Sequence, residues 1–180
     1  MKEIRLHGRG GQGVVKASHI VVKSAVAGDS YGQFIPFFGV ERKGSPVFGY
    51  LRLSDVPIRR KTQVYEPDIL MIFDDSLVKL PATYTGLKPG GTVIINSVKA
   101  VKELNIPSQA GQVAVVDATG ISETLLGRNM PNTSMLGALA KVTELIDKDL
   151  LFEEIVAAFG EKNRAAAQQA YDSVVITSVE

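Results

Sequence analysis

His7-Gly8-Arg9-Gly10-Gly11-Gln12-Gly13 follows the short apolar-rich run Ile4 to His7 and precedes Val14 to Ala27, whose apolar pairs Val14-Val15, Val21-Val22 and Ala25-Val26 suit a buried helix. Strand, glycine turn, helix is the order in which a doubly wound α/β sheet begins, and Gly8, Gly10 and Gly13 satisfy G-x-G-x-x-G in that context. Two readings of the loop stand side by side. Glycines allow the backbone to approach a phosphate held at the helix N-terminus, and Arg9 adds a cation to the same field. They equally allow a strand to turn sharply into a close-packed helix. The first reading makes Gly8, Arg9, Gly10, Gly11, Gln12 and Gly13 candidate cofactor-binding residues. A dinucleotide enzyme would also place an acidic residue at the end of a second strand about 20 residues on. Asp29 comes too early and sits before a loop, so a stand-alone NAD-type nucleotide-binding protein is kept as the alternative.

Downstream, three apolar runs read as buried parallel strands: Ile69 to Phe73, Thr92 to Asn96 and Gln112 to Asp117. They end at Asp74, Asn96 and Asp117, and the carboxyl edge of such a sheet is where ligands bind, so these three residues are expected on one rim with the glycine loop. Between the first helix and the first of these runs, Phe34 to Gly44 reads as an aromatic, glycine-rich loop. Val47 to Leu53 reads as a strand interrupted by Arg52, and the turn Ser54-Asp55-Val56-Pro57 is expected to fold a hairpin onto the basic segment Ile58 to Lys61. Beyond Thr119 the chain turns helical: Ile121 to Leu126, Asn132 to Ile146, Leu150 to Phe159 and Asn163 to about Ser173, with Val174 to Thr177 as a closing strand or an arm on a partner. The expected fold is α/β, a three-layer Rossmann-like domain over residues 1–180 with a mostly parallel sheet and a β-hairpin insertion.

Composition narrows the chemistry. The 180 residues carry 20 Lys and Arg against 19 Asp and Glu, a net charge of +1, so no global field gathers nucleic acid or an anionic membrane. Cysteine is absent, which removes disulfides, thiolate nucleophiles, zinc-thiolate sites and Cys-ligated iron–sulfur clusters together. No stretch approaches the roughly 18 apolar residues of a spanning helix, and a cytoplasmic protein is expected. No metal ligand set is legible, and no catalytic residue. His7 and His19 are the only histidines, and each is read as structural, with no acid–base partner nearby.

Several blocks together carry a resemblance: His7 to Gly13, Phe37 to Pro46, Pro57-Ile58-Arg59, Val64 to Asp68, Lys88 to Gly91 and Asn129-Met130-Pro131-Asn132. In this order they resemble the gamma subunit of 2-oxoacid:acceptor oxidoreductases of the pyruvate:ferredoxin type, over nearly the whole chain to about Lys148. The resemblance implies a complex with alpha, beta and delta subunits that oxidatively decarboxylates a 2-oxoacid, usually to an acyl-CoA, and passes electrons to ferredoxin or another acceptor. It also implies that thiamine diphosphate, Mg and the iron–sulfur clusters sit on the other chains, that coenzyme A is a possible further ligand of the complex, and that gamma is a scaffold inactive alone.

Against that background, Phe34, Phe37 and Phe38 with the charged Glu41-Arg42-Lys43 read as an interface, with Arg42 and Lys43 as an alternative binding point for coenzyme A phosphates. The basic run Arg59-Arg60-Lys61 reads as a solvated face, and Tyr65 as a packing residue. Asn132 or Thr133 is expected to cap a helix; in the functional version of that reading the helix N-terminus, with Arg128, faces the cofactor, and Asn129 and Asn132 are candidate cofactor-binding residues. Gly137, Ala138 and Ala140 suggest close helix packing.

Overall fold

The computed structural model describes residues 1–37 and 46–179. Among the described residues seven strands form one sheet: β1 (Lys2–Arg9), β2 (Tyr31–Phe37), β3 (Pro46–Ser54), β4 (Ile69–Ile72), β5 (Gly91–Asn96), β6 (Ala110–Val116) and β7 (Val175–Ser178). Their order is β2-β3-β1-β4-β5-β6-β7. β1, β4, β5 and β6 are mutually parallel, β3 is antiparallel to β1 and β2 to β3, and β7 closes the far edge antiparallel to β6. Five strands therefore share one direction, and β3 and β7 oppose them. The mostly parallel α/β architecture expected from the apolar runs is the one found.

Each of the runs at β4, β5 and β6 is apolar on consecutive residues because both sheet faces are covered. One face, with Leu6, Met71, Ile94 and Ala114, packs under α1 (Val14–Ala27), α4 (Asn132–Thr143), α5 (Lys148–Phe159) and α6 (Glu161–Ser173), with α3 (Ala118–Leu126) beside them. The other, with Leu70, Ile72, Val93 and Val113, packs under a thinner layer made by a 3-10 turn at Asp75–Lys79 and the short α2 (Pro81–Tyr84). α4 and α6 meet at Gly137, where an added Cβ would overlap the Ala167 carbonyl. The small residues there are a packing device, as their spacing suggested.

The hairpin is real, but its partner lies upstream. β3 pairs with β2, from Tyr31 opposite Ser54 to Phe37 opposite Phe48, and not with the segment after Pro57. Phe34 therefore belongs to a strand where a loop was expected. β2 escapes notice because Gly32 and Pro36 interrupt it. Pro is tolerated on an edge strand, where a missing N–H breaks no ladder, and Gly32 admits α1, since a Cβ there would lie 2.9 Å from Val22 Cα. Phe38, Arg42 and Lys43 lie outside the described residues. Arg52, which interrupts an apolar run, is fully buried: its Nε donates to Glu3 Oε1 at 2.8 Å, and its other nitrogens donate to Gln33 Oε1 and the Gln63 carbonyl. A charge this deep is tolerated because it is paired with Glu3 and each of its three nitrogens donates a hydrogen bond. Arg59, Arg60 and Lys61 are exposed as expected, whereas Tyr65 is 69% exposed and does not pack. No described helix is long and apolar enough to cross a membrane.

Candidate functional site

The chain leaves β1 through α1 toward β2, while β4 connects the other way toward β5. β1 and β4 are therefore the point where the winding reverses, and ligand clefts of open α/β sheets form outside the strand ends at such a point. The glycine loop and Asp74 sit there. The Arg9 N–H donates to Gln12 Oε1 at 2.8 Å, and the Gln12 amide donates to Asp74 Oδ2 at 2.9 Å. Arg9 Nε lies 3.5 Å from Asp74 Oδ2, and its Nη2 donates to Ser76 Oγ at 2.7 Å. The Ser76 hydroxyl donates to Asp74 Oδ1 in turn. Partial burial alone would raise the Asp74 pKa, but hydrogen bonds from Ser76 and Gln12 and the Arg9 charge outweigh it and hold the carboxyl below its usual value.

Next along the rim, Asn96 Nδ2 donates to the Phe73 carbonyl and to Thr119 Oγ1, and Asn96 Oδ1 accepts from Thr119 N. Asp117 caps α3 through the Gly120 N–H at 2.8 Å. Gln12, Asp74, Asp75, Asn96, Asp117 and Asn129 line one open cleft of about 370 Å³. The expectation that Asp74, Asn96 and Asp117 share a rim with the glycine loop holds. Ser76 and Thr119, which tie that rim together, went unread; the Asp74-Asp75-Ser76 turn, with Asp74 accepting from the Ser76 N–H, was their one local signal.

The glycines divide by role. A Cβ on Gly8 would meet Val14 Cγ2 at 2.5 Å, and one on Gly13 would meet Asn132 Nδ2 at 2.8 Å, so both serve close packing. Gly11, at φ +99°, makes the turn and faces open space. Gly13, also left-handed at φ +77°, precedes α1, whose N-terminus has no side-chain cap, so its first-turn N–H groups keep the polarity an anion would meet. Asn132 is buried against this turn. Neither it nor Thr133 caps α4: Pro131 holds the cap position, Asn132 Oδ1 accepts from the Thr133 N–H, and Thr133 Oγ1 donates to Asn163. The capping expectation is corrected there, because Pro131 has already entered helical geometry. Asn129 is exposed at the cleft, and Arg42 lies outside the described residues.

His7 faces away from this cleft. Its Nε2 accepts from Arg5 Nε at 2.9 Å, its ring meets Phe48 edge to face at 5.0 Å, and it is 2% exposed. Burial, then the Arg5 charge, pushes its pKa down to about 3. A ring held neutral with its basic nitrogen occupied is a structural histidine. His19 lies on α1 with its ring edge-on to Phe34 at 5.5 Å.

A dinucleotide site would need an acidic residue at the carboxyl end of the parallel strand beside β1. The neighbour on that side is the antiparallel β3, and the opposite neighbour β4 ends at an Asp74 already bound to Gln12, Ser76 and Arg9. Among the described residues no group of three His, Asp or Glu is arranged to hold a metal ion.

Fold and rim together define an α/β protein whose glycine turn and polar strand ends share one sheet edge, in a chain without cysteine. The chain belongs to the pyruvate ferredoxin/flavodoxin oxidoreductase family, whose model matches residues 3–173. It is 45% identical over 182 residues to the common gamma subunit of the pyruvate/ketoisovalerate oxidoreductases of Thermococcus kodakarensis, covering 98% of each chain. It is 37% identical over 185 residues to the gamma subunit of the NADH-dependent phenylglyoxylate dehydrogenase of Aromatoleum evansii, covering 100% of this chain and 97% of the other. The crystal structure of the pyruvate oxidoreductase subunit PORC of Thermotoga maritima superposes with a TM-score of 0.86 at 31% identity, covering 98% of both. The resemblance to gamma subunits therefore runs the length of the chain, including the last thirty residues.

Proposed function

We propose that residues 1–180 act as one gamma-type domain, the gamma subunit of a cytoplasmic, thiamine diphosphate-dependent 2-oxoacid:ferredoxin oxidoreductase. The observation that carries this reading is the near full-length match to a gamma subunit, at 45% identity over 98% of each chain. Alpha, beta and delta subunits are the partners, and a ferredoxin or another carrier takes the electrons. Decarboxylation and electron carriage are supplied by thiamine diphosphate and iron–sulfur clusters held in the complex. The residues of this chain do not fit those groups: it has no cysteine, and Asp74, Asp75, Asp117 and Glu123 crowd the cleft with negative charge where a diphosphate would enter.

Coenzyme A fits one part of the rim only. The uncapped start of α1, the Gly8 to Gly13 backbone and Arg9 would hold its phosphates, with Asn132 buried behind Gly13 to support the turn, whereas Asn129 lines the acidic cleft beside Asp117. An Arg9→Gln substitution in the assembled enzyme is expected to weaken coenzyme A binding about tenfold, the scale of one charge-assisted hydrogen bond. Calorimetry on the complex checks this, and unchanged affinity would leave the loop a packing device. The larger reading is tested by reconstitution: 2-oxoacid-dependent acceptor reduction should fall to background when this chain is left out and return when it is added. Full activity without the chain would refute it.

A further inference from the structure

α1 covers one face of the β2–β3 hairpin, and on the opposite face the strand register makes three rows. Phe37, Phe48 and His7 form the first, Ile35, Tyr50 and Arg5 the second, and Gln33, Arg52 and Glu3 the third. The third row neutralises itself through the Arg52–Glu3 pair. The second does not. Arg5 is 8% exposed, yet its guanidinium meets only neutral acceptors, His7 Nε2 and the Thr83 and Thr85 carbonyls, and among the described residues no carboxylate lies within 4.0 Å of it. Buried charges are ordinarily paired.

The surroundings of Arg5 are aromatic. Phe37 lies 6.4 Å from both Phe48 and Tyr50, ring centre to ring centre. Phe37 and Tyr65 are large and exposed, and the Gln63 carbonyl, two residues before Tyr65, accepts from Arg52 of the third row. Exposed aromatics around an arginine are the composition of an interface centre. Beside them, Arg59, Arg60 and Lys61 are exposed, and Arg60 lies 3.5 Å from Glu3 Oε1, which already pairs with Arg52, so the border keeps a positive sign.

We infer that this face of β2, β3 and β1 docks on another subunit of the oxidoreductase, through a segment that brings an Asp or Glu carboxylate to Arg5 and apolar side chains to Phe37, Phe48 and Tyr65. The lack of a carboxylate at Arg5 among the described residues selects an acidic segment over a second basic or purely apolar one, and the Arg59 to Lys61 border favours the same sign. This inference rests on the chain being a subunit.

The test uses the whole complex, captured through a tag on a different subunit. A Phe37→Asp/Tyr65→Asp chain, altered only at exposed side chains, is expected to bind the remaining subunits about thirtyfold more weakly, the loss of a hot spot. Arg5→Gln should lose as much, Arg5→Lys should recover part of it, and Val98→Asp together with Val175→Asp at the far end of the sheet should assemble normally. Amide exchange of the assembled enzyme should show β2 and β3 protected relative to the free chain. Normal assembly by the Phe37/Tyr65 variant, or protection confined to β6 and β7, would overturn the docking face while leaving the subunit reading intact. A natural chain that fails to join any partner would remove both.

Discussion

A His7→Gln chain is expected to lose stability far more slowly in acid than the natural chain. His7 is buried and neutral when folded, with its pKa pushed down to about 3 by burial and by Arg5, whereas in the unfolded chain it titrates near 6.5. Below pH 6.5 the unfolded state takes up a proton that the folded state refuses, so stability is complete above 6.5 and falls as the pH drops toward 3. The slope is roughly 1.4 kcal/mol per pH unit, and the total on the order of 5 kcal/mol. Asp68 and Asp74, also depressed, add losses at lower pH in both chains alike. Gln can still accept from Arg5 but cannot titrate. Urea melts at pH 7, 5 and 4 should therefore show the two chains diverging as the pH falls, and parallel decline would show that His7 does not stay neutral.

The second large effect belongs to the α4–α6 contact. Replacing a helical glycine by alanine ordinarily stabilises by up to about 1 kcal/mol. At Gly137 the sign should reverse, because the added methyl would enter the Ala167 carbonyl, and backbone cannot yield as a side chain can. Gly137→Ala is expected to lose about 2 kcal/mol and Gly137→Val about 3 or more, the cost of overpacking. Thermal melts of the full chain decide it: a higher Tm for Gly137→Ala would mean the helices are not in that contact.

How much was legible follows from the range of the interactions. β4, β5 and β6 announce themselves as apolar runs because both faces are buried, and their polar ends locate the rim. Helix α1 follows from its glycine start and apolar pairs. What failed was pairing: the turn at Ser54 to Pro57 is a strong local signal, but β3 takes its partner from across residues 38–45, and Gly32 and Pro36 disguise β2 as a loop. Arg52 reads as a blemish in an apolar run until Glu3, from a neighbouring strand, is seen against it. Asn132 looks like a cap by local chemistry, yet its neighbour in space is Gly13, 119 positions earlier in the numbering. Likewise Arg5 carries no sign in the sequence that none of the described carboxylates reaches its charge.

Native mass spectrometry of this chain, tagged and isolated from cells that make its partners, probes the account at its root. The chain should arrive bound to larger, iron-containing subunits, with 2-oxoacid oxidation belonging to that particle and absent from the chain stripped of it. A lone 19.3 kDa species that oxidises a 2-oxoacid unaided would contradict the account.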